Sequence, residues 1–184
     1  MNNLDKIVCL VGESGSGKST VVECLEREGY NYIKSYTTRP KRSENENGHI
    51  FVDEEYFKNK YNNERFKEKL IAYTEFNEYK YWSTEEQYKD KGISVYTVDP
   101  SGASELKNNT KNCEVIVIYL RVDAEERFNR MEKSRGRDHA LNRLNYDRKV
   151  DIFNIIPCDY VVNGNRTIEE IVKDIKGIIF SLTI

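Results

Sequence analysis

Four short, almost unbroken apolar runs stand out in this chain: Lys6 to Val11, Ile93 to Asp99, Glu114 to Leu120 and Asp159 to Asn163. A strand with one wet face alternates apolar and polar residues, whereas a continuous apolar run belongs to a strand covered on both faces. Between these runs, apolar residues at helical spacing predict helices over Ser19 to Glu28, Ser101 to Lys107, Ala124 to Ser134, Ala140 to Phe153 and Thr167 to Ser181. The last carries Ile168, Ile171, Val172, Ile175, Ile178 and Ile179 on one stripe. Strands alternating with helices imply an α/β fold, a parallel sheet flanked by helices. Asp123 and Thr167 stand where N-caps belong, and Glu170 follows Thr167 at capping-box spacing.

Residues 31–90 break this rhythm. They hold most of the thirteen tyrosines and the single tryptophan, among many charges and asparagines. They predict a lobe inserted between two core strands, with residues 1–30 and 91–184 forming the core. Within the lobe, the charge-rich stretch Asp53 to Lys69 suits a solvated helix.

At 184 residues the chain can bury a proper core without a disulfide or structural metal. Twenty-nine Lys and Arg against thirty-one Asp and Glu give a net charge of −2, which supplies no basic field for a polynucleotide. Small phosphorylated partners suit it better. Cys9, Cys24, Cys113 and Cys158 are scattered without a C-x-x-C pair, and Cys9 and Cys24 sit within apolar runs as small hydrophobes. No leader-like segment opens the sequence, and no apolar run approaches the roughly 20 residues that span a bilayer. A reduced, cytoplasmic protein is expected, with no membrane partner; monomer and homodimer both remain open.

Directly after the first apolar run comes Gly12-Glu13-Ser14-Gly15-Ser16-Gly17-Lys18-Ser19, which fits G-x-x-x-x-G-K-[ST] at every fixed position. Glycines let the loop curl so that successive N–H groups point at a β-phosphate. Lys18 reaches the β- and γ-oxygens, and Ser19 offers its hydroxyl to Mg²⁺. Gly12, Ser14, Gly15, Ser16, Gly17, Lys18, Ser19 and Thr20 are therefore the expected binding residues for ATP, with Mg²⁺ as its companion.

At Ser35-Tyr36-Thr37-Thr38-Arg39-Pro40-Lys41-Arg42 the chain resembles the guanylate kinase family, whose monophosphate-binding lobe opens with S-x-T-T-R-x-x-R, an acidic residue and N-G, here Glu44, Asn47 and Gly48. The likeness continues through Tyr81-Trp82-Ser83, Asp99-Pro100-Ser101-Gly102, Arg135-Gly136, Arg143-Leu144 and Asp159 to Asn163, in the family's order. It implies an ATP-dependent phosphoryl transfer to a nucleoside monophosphate, GMP by default. Arg39 and Arg42, joined by Tyr81, would grip the acceptor phosphate; guanidinium forks bind phosphate oxygens two at a time. Arg135, Arg137 and Arg143, around Gly136, would form a lid over about 134–143 that brings cations to the transferring group and excludes water. Arg127 and Arg130 lie on the same stretch, with salt bridging to Glu125, Glu126 and Glu132 as the plainer alternative. Asp99, at the end of a strand, would hold Mg²⁺ or approach the acceptor, or cap the next helix.

Base selection departs from the family pattern. Guanine asks for a carboxylate facing N1–H and the 2-amino group and for hydroxyls at O6. Ser35 and Ser83 match the hydroxyls, but the glutamate position falls on Ala72, with Glu75 as the replacement if the backbone is shifted. Trp82 stands where glycine is usual and His49 near the second phosphate-binding tyrosine. A kinase for another nucleotide or small acceptor, and a guanylate-kinase-like binding module, are the competing expectations; intact Lys18, Ser19, Arg39 and Arg42 oppose the module.

Overall fold

A computed structural model describes residues 4–61, 69–149, 153 and 155–183. Its main sheet has five parallel strands in the order β2-β7-β1-β8-β9: β1 is Asp5–Val11, β2 Asn31–Ile33, β7 Ile93–Thr97, β8 Cys113–Arg121 and β9 Tyr160–Asn163. In β1, Ile7 through Val11 are all fully buried, as a strand covered on both faces requires. Alternate residues serve opposite layers. Val8 and Leu10 pack with α1 (Lys18–Arg27) and α6 (Ile168–Ser181), while Ile7, Cys9 and Val11 pack with α3 (Pro100–Asn109).

The remaining helices are α2 (Glu54–Tyr61), α4 (Ala124–Arg135) and α5 (Arg137–Lys149). Gly136, at a φ of 88°, turns the chain between α4 and α5. This divides the arginine-bearing segment into the end of one helix and the start of the next, and α5 begins three residues before the predicted Ala140. Of the predicted helix end, residues 150–152 lie outside those described. Thr167 forms a complete capping box with Glu170. Asp123 occupies its predicted cap position without a side-chain cap bond.

A second sheet, β4-β3-β6-β5, is built from β3 (Tyr36–Thr37), β4 (Ile50–Phe51), β5 (Leu70–Phe76) and β6 (Tyr79–Thr84). The apolar pattern opens the inserted lobe at residue 31, but β2 pairs with β7, so Asn31–Ile33 belong to the core sheet. Trp82 is 1% exposed: its ring stacks on Tyr36 at 5.4 Å and meets Phe57 and Tyr61 of α2 edge-on at 4.8 and 5.5 Å. The charge-rich stretch is thus more than a solvated helix. α2 roofs the lobe's aromatic cluster, and Lys80 on β6 pairs with its Glu54 at 2.9 Å. Residues 62–68 of that stretch lie outside those described. Among the described residues no helix is long and apolar enough to cross a membrane.

Candidate active site

The loop from β1 to α1 wraps through two left-handed glycines, Gly15 at φ 80° and Gly17 at φ 92°. A side chain at Gly15 is doubly excluded, by that conformation and because a Cβ would come within 2.7 Å of the Arg127 carbonyl oxygen. Ser16 is fully buried under the loop, and Ser19 and Thr20 lie exposed on the first turn of α1. That turn leaves N–H groups free and carries the positive end of the helix dipole, an arrangement suited to anions. Lys18 folds back over the loop, with Nζ donating to the carbonyls of Gly12 at 2.5 Å and Glu13 at 3.1 Å. Burial pushes its pKa down to about 8, against the opposing pull of Asp147 and Glu13.

Around this loop α4 and α5 place a buried ionic network. Arg127 Nη1 donates to the Ser14 carbonyl at 3.3 Å, and the guanidinium pairs with Asp147 and Glu13, each at 3.4 Å. Asp147 accepts from the Ser14 N–H at 2.9 Å and from its hydroxyl at 3.2 Å, while Arg143 donates to the same hydroxyl at 2.8 Å. Arg130 bonds the Ser16 carbonyl at 3.3 Å and the Gly164 carbonyl at 2.8 Å, besides pairing with Glu126. Neither Arg127 nor Arg130 is merely a surface ion pair. The sequence pattern misses Asp147, yet its spacing from Ala140 and Leu144 puts it on the buried stripe of α5, where a carboxylate needs a partner.

The remaining lid arginines separate. Arg143 is at the phosphate loop. Arg137 is exposed, paired with Glu132 at 3.1 Å and lying over the Phe128 ring. Arg135 is exposed on the lobe side, near enough to Arg42 to help burial and Arg39 depress the Arg42 pKa.

In the lobe, Arg39 is 7% exposed and gripped as a fork by Glu46, at 2.6 Å to Oε1 and 3.2 Å to Oε2. Glu46 also accepts from the Arg42 N–H at 2.7 Å, and the Arg39 bond leads the causes that hold its carboxyl at about 2. The acidic partner of the arginine pair is Glu46; Glu44 is exposed and makes no such contact. Arg42 is an exposed residue whose side chain is partly covered beside Arg39. His49 packs edge-on against Tyr81 at 5.7 Å, and burial with Arg39 nearby depresses its pKa, so it is a neutral ring here.

Two cavities meet between lobe and core. One, of about 190 Å³, is lined by Ser35, His49, Ala72, Tyr81, Tyr96 and Glu105, among others. The second, of about 460 Å³, is lined by Gly12, Ser14, Lys18, Glu75, Arg143 and Asp147 with their neighbours. Thr74, Thr97, Val98, Asp99 and Ser101 belong to both walls, so the two open along a common side. Ser35 is bonded to the Tyr96 hydroxyl at 2.7 Å, and Ser83 is fully buried opposite Ala72.

Glu75 does not reach the first cavity. From Ala72 to Phe76 the β5–β6 register is regular, and three residues along an extended strand is an odd number, which turns Glu75 to the other face. It lines the phosphate-loop cavity and accepts from the Tyr73 hydroxyl. Trp82 is on the wall of the first cavity, but its ring, enclosed by Tyr36, Phe57 and Tyr61, is not open to stack on a base.

Asp99 caps α3, Oδ1 accepting from the Gly102 N–H at 2.7 Å. Its Oδ2 takes no hydrogen bond among the described residues and, with the exposed Ser19 hydroxyl, offers the hard oxygen donors that suit Mg²⁺. Among the described residues no three His, Cys, Asp or Glu side chains cluster to hold a metal by themselves.

Comparison with known proteins agrees with this arrangement. The family model described as guanylate kinase matches residues 4–182. A guanylate kinase of Prochlorococcus marinus is 30% identical over 195 residues, covering 98% of this chain and 100% of the relative; one of Mycoplasma genitalium is 27% identical, covering 98% and 78%. Among solved structures, the guanylate kinase of Anaplasma phagocytophilum superposes with a TM-score of 0.65 at 22% identity, covering 97% of this chain and 86% of that one. With a phosphate loop facing an inserted lobe across a shared cleft, and a family match over nearly its whole length, this chain belongs to the guanylate kinase family of nucleoside monophosphate kinases.

Proposed function

We propose that the protein transfers the γ-phosphoryl group of ATP to GMP, yielding ADP and GDP. The observation that carries this reading is the joined pair of cavities, one at the phosphate loop and one in the lobe, with Thr74, Thr97, Val98, Asp99 and Ser101 in common. A phosphate oxygen of the acceptor, held in the lobe, attacks the γ-phosphorus in line. The bond to the β,γ-bridging oxygen breaks, and ADP leaves with the electron pair.

Gly12, Ser14, Gly15, Ser16, Gly17 and Thr20 provide the backbone cradle for ATP, and Lys18 leaves its loop carbonyls to meet the β- and γ-oxygens. Ser19 and Asp99 would hold Mg²⁺, which neutralises charge on those phosphates when bound. Arg39 and Arg42 take the acceptor phosphate with Tyr81, and neutral His49 offers one ring N–H beside them. For that, Arg39 turns part of its fork from Glu46 toward the phosphate. Ser35 and Ser83 supply hydroxyls at the base. Arg143, at the loop, and Arg135, facing the lobe, suit the charge that develops between the substrates; Arg137 joins only if closure frees it from Glu132. The four free cysteines support a reducing, cytoplasmic setting.

The test is ADP formation from Mg·ATP with GMP, dGMP, AMP, CMP, UMP and dTMP in parallel, against a control without acceptor. Selective turnover of GMP and dGMP is the expected outcome. Preference for another nucleotide would overturn the guanine assignment, and ATP binding without transfer to any of them would overturn the kinase reading.

A further inference from the structure

The lobe cavity lacks a carboxylate where the family pattern places one, because Ala72 ends in a methyl group. A carboxylate nevertheless enters the same cavity from α3. Glu105, on α3, lines it and accepts a hydrogen bond from the Tyr73 backbone N–H at 2.8 Å through Oε2. That contact sets the carboxylate beside the residue following Ala72, on the wall of the same cavity. β5 and α3 are packed together, so this approach is built into the fold.

We propose that Glu105 is the residue that reads the Watson–Crick edge of the acceptor base, in place of the missing strand carboxylate. This rests on the reading of the acceptor as a guanine nucleotide. Guanine presents N1–H and its 2-amino group as two adjacent donors, and an ionised carboxylate accepts at two oxygens with about four lone-pair directions between them. Oε2 can therefore keep the Tyr73 amide and still receive one base donor while Oε1 receives the other. Charge-assisted bonds of this kind are the stronger class. The other carboxylate on the cavity wall is Asp99, whose Oδ1 is engaged at the Gly102 N–H and whose place is at the seam with the phosphate-loop cavity. Ser35 and Tyr96 line the same cavity, and their mutual hydrogen bond leaves one hydroxyl proton for O6. Donors and acceptors of the purine edge are thus matched within one cavity, with α3 supplying the charge.

The experiment compares GMP, inosine monophosphate and AMP as acceptors in the unaltered enzyme and in Glu105→Gln. Inosine monophosphate lacks only the 2-amino group, so the unaltered enzyme is expected to use it at least about tenfold less efficiently than GMP. Glutamine keeps the size and an oxygen for the Tyr73 amide, but it offers one acceptor where guanine needs two. In Glu105→Gln, kcat/KM for GMP is expected to fall about 100-fold and the GMP-to-inosine-monophosphate ratio to shrink to within about threefold, with the Kd for ATP unchanged. An unaltered ratio in Glu105→Gln would overturn the role of Glu105 while leaving a GMP kinase in place. An unaltered enzyme that does not prefer GMP to AMP would instead overturn the guanine reading, and Glu105's role with it. Equal use of GMP and inosine monophosphate by the unaltered enzyme overturns the proposal even if the variant fails to fold.

Discussion

The phosphate loop and the inserted lobe face each other across one cleft but are built in opposite ways. The loop is a backbone device: its shape follows from Gly15 and Gly17 in left-handed conformations, and its anion-binding groups are the N–H bonds of a helix start. The lobe is a side-chain device. Arg39 owes its place to Glu46, the aromatic cluster to α2, and the base cavity to residues drawn from β5, β6 and α3. A backbone device has its shape before its ligand arrives, whereas side chains, Lys18 over the loop as well as Arg39 in the lobe, must exchange partners on binding.

The sharpest way to break the loop half is Lys18→Ala. Lys18 touches only loop oxygens here, so the fold should survive while phosphoryl transfer falls by about 10³-fold or more, the scale seen when a transition-state charge partner is lost. Steady-state ADP release, with circular dichroism as the fold control, measures this; residual turnover within about tenfold would remove Lys18 from the chemistry.

For the lobe half the matching change is Arg39→Lys, which keeps the charge and removes the fork. Because a lysine cannot hold Glu46 and a phosphate in the same two-pronged manner, kcat/KM for GMP should drop about 100-fold with the KM for ATP unchanged. A parallel rise in both KM values would show that Arg39 organises the lobe as a whole and has no selective hold on the acceptor.

Proton linkage sharpens the contrast at smaller scale. In the free protein Lys18 titrates near 8, because burial disfavours its charged form. A bound triphosphate favours that form and raises the pKa again. Below pH 8 the charge is already present and ATP affinity is flat. Above it the lysine must first take up a proton, so affinity should weaken by up to about tenfold per pH unit until the pKa of the complex is reached. Calorimetry in buffers of different ionisation enthalpy should detect that uptake near pH 8.5, and its absence would mean that Lys18 stays charged in the free loop.

The same division explains what could be read from residues alone. β1, β7 and β8 announce themselves because strands buried along their middles leave continuous apolar runs, and the loop because its glycines are demanded by backbone geometry; β9 is legible as an apolar run too, but at the sheet edge it buries only Val162 and is not covered on both faces. β3 and β4 have two residues each, too few to show any period, and β2 has three, which is why its membership of the core sheet went unseen. Pairings across space leave still less trace. Glu46 and Glu44 look alike in sequence, and only the folded loop selects Glu46 for Arg39. Glu105 reads as one polar residue on a helix, and only the packing of α3 against β5 turns its carboxylate into the cavity.

Glu75 supplies the smallest expected effect and the most direct check on that account. Sequence spacing makes it the nearest substitute for a carboxylate at position 72, but strand alternation turns it to the other face, toward the phosphate-loop cavity and the Tyr73 hydroxyl. Glu75→Gln should leave the ratio of kcat/KM for GMP and AMP within about twofold of the unaltered enzyme, because an exposed carboxylate outside the base cavity contributes little to base selection. Measured beside Glu105→Gln, it separates two carboxylates of the same chemistry by location alone. Should Glu75→Gln erase the preference and Glu105→Gln spare it, β5 would have to shift by one residue when the acceptor binds, carrying Glu75 to the face that Ala72 now occupies.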